Sequence, residues 1–178
     1  MGQYYYPIIL KTRNTIAAWA KAHEMGSGNK LTEHSYVSNQ FVGMILRNLY
    51  KKPQRLVWAG DYADGEKGKN QNLYHLCNLH QDRKLKPTVG FSKSLRYALN
   101  HSMKQFVKLN GCPVMANGYK LNPLPILCAE GNGRGGGDYE GNNEGLVGYW
   151  ARDVIETIKI KKDIPAGYKE LNPEFIEW

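Results

Sequence analysis

The stretch "PLPILCAEGNGRGGGDYEGNNEGL" (residues 123–146) decides which class of fold this chain adopts. Gly131, Gly133 and Gly136 satisfy G-x-G-x-x-G, and "PLPILCAE" (123–130) before them reads as a strand. In a doubly wound parallel sheet, that spacing opens a helix whose N-terminus holds a pyrophosphate, with an acidic residue about 20 positions on. Here the glycines continue through "GDYEGNNEGL", which has no apolar periodicity, so no helix opens. A P-loop is excluded as well, because no Lys-Ser/Thr pair follows the glycines. A kinase-type loop would need a lysine-bearing strand and an "HRD" segment, and neither is present. The glycine run therefore connects two strands rather than a strand and a helix.

Seven of the fifteen residues from Gly131 to Gly145 are glycine. Two readings follow. The segment is a long inter-strand connection whose glycines supply positive φ at turns. Alternatively, the N–H groups around Gly131, Gly133, Gly135 and Gly136 form a concave anion nest. Arg134 would add a fork of donors there, with Glu130 and Asp138 on either side. The second reading describes a nucleotide or small-anion binder, a sponge for a signalling molecule.

Outward from this loop, the chain alternates short β-rich runs with few helical ones. "YYYPIIL" (4–10) and "TIAAWA" (15–20) flank "KTRN" as an opening hairpin. Val37, Phe41, Met44, Ile45, Leu49 and Tyr50 recur at helical spacing, predicting the main helix over 35–52, with Ser35 as N-cap and Pro53 as stop. "RLVWAGDY" (55–62), "TVGFS" (88–92), "LRYALN" (95–100), "GLVGYW" (145–150) and "DVIETIKI" (153–160) read as strands, and "EFIEW" closes the chain. "NLYHLCNL" (72–79) suits a short helix or a strand, and "SMKQFVKL" (102–109) one or two helical turns. The expected fold is a single α+β domain over 1–178, with a mostly antiparallel sheet of about seven or eight strands, one main helix and one or two short ones.

At 178 residues, with 42% hydrophobic and 22% charged side chains, the chain has the composition of a folded domain. No apolar run approaches the ~20 residues of a membrane span. "MGQYYYPIIL" lacks the basic start and cleavage site of a signal peptide. Three widely spaced cysteines, Cys77, Cys112 and Cys128, suit a reducing compartment, so a cytoplasmic protein is expected. Self-association is left open by these features.

The net charge of +8 is unevenly spread. Residues 1–110 carry 17 Lys/Arg against 6 Asp/Glu, and residues 111–178 carry 7 against 10. Such a basic body attracts polyanions. The cations fall in clusters: Arg47, Lys51, Lys52 and Arg55; Lys67 and Lys69; Arg83, Lys84 and Lys86; Lys93 and Arg96. Tyr50, Phe91 and Tyr97 lie among them as candidate stacking surfaces for bases. No helix-turn-helix, zinc-finger or RRM motif is present, so phosphate contacts would dominate and binding would be salt-sensitive.

Catalytic signals are fragmentary. Asp61 and Asp64 in "WAGDYAD" end a strand, where two carboxylates either bind a divalent cation or cap a turn. His75, Cys77 and His80 have loosely metal-like spacing but lack a fourth ligand. Glu33 and His34 stand just ahead of the predicted main helix with no nucleophile marked by the sequence. A hydrolase or transferase would draw on Asp61, Asp64, His34 or Glu130. No motif is complete, so no catalytic residue, metal or cofactor is assigned.

The segments "MGQYYYPIIL", "EHSY", "WAGDYAD", "NHSMKQFV", "LPILCAEGNGRGGGDY" and "GYWARDVIE" together resemble a family of small proteins from gut bacteria and their phages. In size, charge and setting the chain is also similar to anti-CRISPR inhibitors of an RNA-guided DNA nuclease. The resemblance implies a non-enzymatic mobile-element protein that engages a host defence nuclease, nucleic acid or both. It carries no site residues over.

Overall fold

The computed structural model describes residues 2–88, 94–131, 139–141 and 146–177. Along the chain these form β1 (Tyr5–Thr12), β2 (Thr15–Trp19), α1 (Leu31–His34), α2 (Gln40–Asn48), β3 (Gln54–Gly60) and α3 (Leu73–Leu76). Then come β4 (Tyr97–Asn100), β5 (Gln105–Lys108), α4 (Pro123–Leu127), β6 (Ala129–Glu130), β7 (Tyr139–Gly141), β8 (Val154–Ile158), β9 (Lys169–Leu171) and β10 (Phe175–Glu177). The main sheet runs β2-β1-β3-β8-β4-β5-β9, and β7 pairs with β10 separately. Most pairings are antiparallel; β5 with β9 and β3 with β6 are parallel. This is the mostly antiparallel α+β fold that the run of short strands with one main helix predicts.

The opening hairpin forms as expected, with Thr12 and Thr15 hydroxyls hydrogen-bonded at 2.9 Å across its turn. β1 is interior and carries Pro7, a residue that interior strands normally exclude. Its carbonyl accepts from Ala20, one residue beyond the end of β2, so the missing N–H falls where that neighbour has already ended. Alternation along β1 then divides two cores. Tyr5 and Ile9 pack with α2 and Trp58, whereas Tyr6, Ile8 and Leu10 pack with Trp19, Leu73 and Leu76 of the α3 side.

α2 lies inside the 35–52 window but is shorter at both ends. Val37 N–H bonds to Lys120 O, and Tyr36 bridges Leu121, so tertiary contacts hold this segment extended. Asn39 rather than Ser35 caps the helix, accepting from Val42 N–H at 3.1 Å. Lys51 at φ 51° turns the chain out of the helix before Pro53.

Three other expectations are overturned. "SMKQFVKL" is not helical: residues 101–104 turn tightly, Asn100 Oδ1 accepts from Met103 N–H, and Gln105–Lys108 returns as β5. "PLPILCAE" begins as helix α4, with Pro123 in its first turn and Asn122 as cap; only Ala129–Glu130 is strand. "GLVGYW" is not a strand, since residues 147–152 are turns. "NLYHLCNL" resolves to α3, capped by Asn72.

Candidate functional site

Of the predicted glycine-loop residues, Gly133, Arg134, Gly135, Gly136 and Asp138 lie outside the described residues, as does Lys93. The root of the loop is described. β3 shares one edge between two partners: Gln54 and Arg55 pair with β8, while Trp58 and Ala59 pair with β6. β6 and the start of β8 therefore lie end to end, which brings Arg152 against Glu130. Gly131 serves a close approach: a Cβ there would lie 2.6 Å from Gln3 Oε1, and one at Gly60 would lie 2.4 Å from Gln3 Nε2. The buried Gln3 side chain fills the space that these two glycines leave.

Arg152 is the residue that sequence reasoning missed. Its backbone sits at φ 66°, a conformation that costs a non-glycine residue about 1 kcal/mol. Its Nε donates to Glu130 at 2.6 Å and its Nη1 to Glu66 at 3.0 Å. Nη1 also reaches Arg13 O and Asn14 Oδ1, both at 3.1 Å, and Nη2 donates to both carboxylates. Burial alone would favour the neutral form. Glu130 and Glu66 outweigh it and hold the guanidinium charged. Every nitrogen of the fork is occupied, so this arginine fastens the first hairpin, the 61–71 loop and β6 together.

Glu130, expected beside Arg134, is hydrogen-bonded to Arg152. Asp64, Glu66, Glu130, Lys67 and Arg152 border one depression of about 320 Å³, where carboxylates outnumber cations. Asp61 borders a different one with Asn72 and His75, and accepts from Tyr4 N–H at 3.0 Å. The two aspartates of "WAGDYAD" therefore do not share a site. His34 is in neither depression. It is fully buried, with Nδ1 donating to Gly28 O at 3.0 Å and Nε2 accepting from Trp58 Nε1–H at 3.1 Å. Burial lowers its pKa to about 4, against the raising effects of Gly28 O and Glu33, so it is neutral near pH 7. Glu33 instead accepts from Lys30 N–H. Among the described residues, no group of three or more His, Cys, Asp or Glu is placed to hold a metal. All three cysteines are buried, which raises their pKa values, that of Cys112 to about 12.

The basic residues separate into two kinds. Arg47 donates to Thr88 O at 2.8 Å, Arg55 to Arg152 O at 3.0 Å and Arg83 to Ile16 O at 2.7 Å; Lys84 pairs with Glu24 at 2.7 Å. These four fasten backbone segments. Lys67, Lys69 and Lys86 are exposed on loops.

Lys51 and Arg96 are brought beside Lys159, which the sequence reading did not include, and Lys52 is exposed next to Lys51. Tyr50 bridges Thr157 of β8, and Lys51 N–H bonds to Thr157 O. Thr157 Oγ1 donates to Leu46 O of α2, so alternation along β8 turns Lys159 to the same face. Arg96 precedes Tyr97, the β4 partner of Ile158, and its N–H bonds to Ile158 O. Ala98 faces the α2 core, so alternation puts Arg96 on that side too. The Tyr50 ring consequently lies between two ammonium groups, Lys159 Nζ at 4.9 Å and Lys51 Nζ at 5.8 Å from its centroid. Among the described residues, no carboxylate is within salt-bridge distance of Lys51, Lys52, Arg96 or Lys159.

A groove adjoins this rim. It encloses about 500 Å³ between the end of α2, β4 and β5, and Leu46, Leu95, Leu109, Arg96, Asn110 and Asn122 line it. Among the described residues, no helix is long and apolar enough to cross a membrane. Comparison with protein families, with curated proteins and with solved structures finds no match.

Proposed function

We propose that the protein is a non-enzymatic binder of nucleic acid, and that the rim formed by Tyr50, Lys51, Lys52, Arg96 and Lys159 is its contact surface. The observation that carries this reading is the absence of a counter-charge. Lys51 and Lys159 approach one aromatic ring, Arg96 stands opposite Lys159 across the β4/β8 pair, Lys52 is exposed next in sequence, and no carboxylate among the described residues pairs any of the four. A phosphate backbone supplies the missing anions, and the release of its condensed counterions drives the association. The rim contacts phosphates and positions a strand; it does not by itself read sequence.

The resemblance to mobile-element inhibitors gives this surface a setting, in which the polyanion is the guide RNA or the exposed DNA strand of a host defence nuclease. A nuclease cleavage assay with increasing protein tests that setting, and unchanged cleavage at saturating protein removes it. Binding itself is tested by fluorescence anisotropy with labelled RNA and DNA across salt. With four phosphates contacted, log K should fall against log salt with a slope of about −3 on single strands. No binding to any nucleic acid at low salt contradicts the proposal.

A further inference from the structure

We infer that the groove beside Arg96 receives an unpaired nucleobase, so that the protein selects single-stranded over duplex nucleic acid. The inference rests on the reading of the rim as a phosphate-binding surface. The groove combines two kinds of wall. Leu46, Leu95 and Leu109 present aliphatic surface suited to the faces of a flat ring. Asn110 and Asn122 add amides that match the donors and acceptors along a base edge. Asn122 is buried and caps α4 through Oδ1, which accepts from Leu124 N–H at 3.1 Å, so the exposed Asn110 is the amide that a base edge can reach.

Arg96 belongs to both features: it lines the groove and stands beside Lys159 at the end of the β4/β8 pair. A strand whose phosphates lie along the rim therefore passes the groove mouth. In a duplex the bases are stacked and only their edges are accessible, so a concave site of this kind is reached by a base splayed out of a single strand. Burying about 60 Å² of one base's apolar faces against these leucines is worth about tenfold in affinity and tolerates different bases.

The test is anisotropy with three probes of equal phosphate number: a mixed-sequence single strand, the same strand with abasic sugars, and a duplex of half that length. The wild-type protein should bind the base-bearing strand about tenfold tighter than the other two. Ser38→Trp fills the groove from its exposed margin without altering a charge, and should bring the three affinities together. Val37→Trp, at the same margin, serves if the first variant fails to fold. Equal wild-type affinity for the base-bearing and abasic strands overturns the inference and leaves the rim standing. So does a preference that survives both groove-filling variants in folded protein. No binding of any probe overturns the rim and this inference together.

Discussion

The Arg152 cluster and the Tyr50 rim both place cations at the margin of the same sheet, and they differ in what faces those cations. Arg152 meets two carboxylates, a backbone carbonyl and an amide, and its donors are filled. Lys51 and Lys159 meet an aromatic ring, and with Lys52 and Arg96 they are exposed to solvent. A cation whose partners lie within its own chain is spent on folding. A cation without such partners remains available to a ligand. Other polar networks here belong with Arg152: His101 Nδ1 is hydrogen-bonded with the Tyr168 hydroxyl at 2.6 Å, and its Nε2–H donates to Glu156 at 2.7 Å.

The comparison is broken most severely at the matched site. Arg152→Ala leaves Glu66 and Glu130 unpaired, Glu66 almost fully buried, and should cost about 3–5 kcal/mol of stability by denaturant titration. Relief of the positive φ does not offset this, because alanine is also disfavoured there. A loss under about 1 kcal/mol would show that the cluster is not the fastening it is described as.

Acid should erode the same class of interaction at His34. Its pKa is about 4 when folded against 6.5 for the free side chain, so below pH 6.5 the unfolded chain binds the extra proton first. Stability from this group is intact above pH 6.5 and falls as pH drops toward 4, by about 3 kcal/mol in all. A flat stability profile over that interval would place the imidazole in water. A smaller loss, about 1 kcal/mol, is expected for Asn39→Ala, which removes the α2 cap, and thermal melting will measure it.

At the unmatched rim the effects on folding should be smallest. Lys51→Gln with Lys159→Gln should cost at most about 1 kcal/mol, from the two exposed contacts with the Tyr50 ring, because among the described residues neither side chain has a carboxylate partner to lose. A large destabilisation would move these lysines into the same class as Arg152.

The sequence carried the fold class because one segment could be tested against a definite geometry: a fingerprint with no helix after it excludes the parallel doubly wound sheet. It carried less where local preference and tertiary pairing disagree. Ser35 has the chemistry of an N-cap, but residues 36 and 37 pair with 121 and 120, and the helix starts at Asn39 instead. The Asn122-Pro123 pair was a legible helix start that the apolar run around it disguised. Arg152 had no local signal, since its carboxylates are 22 and 86 positions away. For the rim, Tyr50, Lys51 and Lys52 were visible as a basic cluster with an aromatic. Lys159 was not, because only the pairing of Tyr50 with Thr157 brings β8 to that helix end.

The central claim is that cations unmatched among the described residues bind nucleic acid phosphates, and the salt dependence of strand binding tests it most directly. The wild-type protein should give a log–log slope of about −3 with a single strand, and the folded Lys51→Gln/Lys159→Gln variant a slope of about −1.5. Identical slopes for the two proteins would contradict the account.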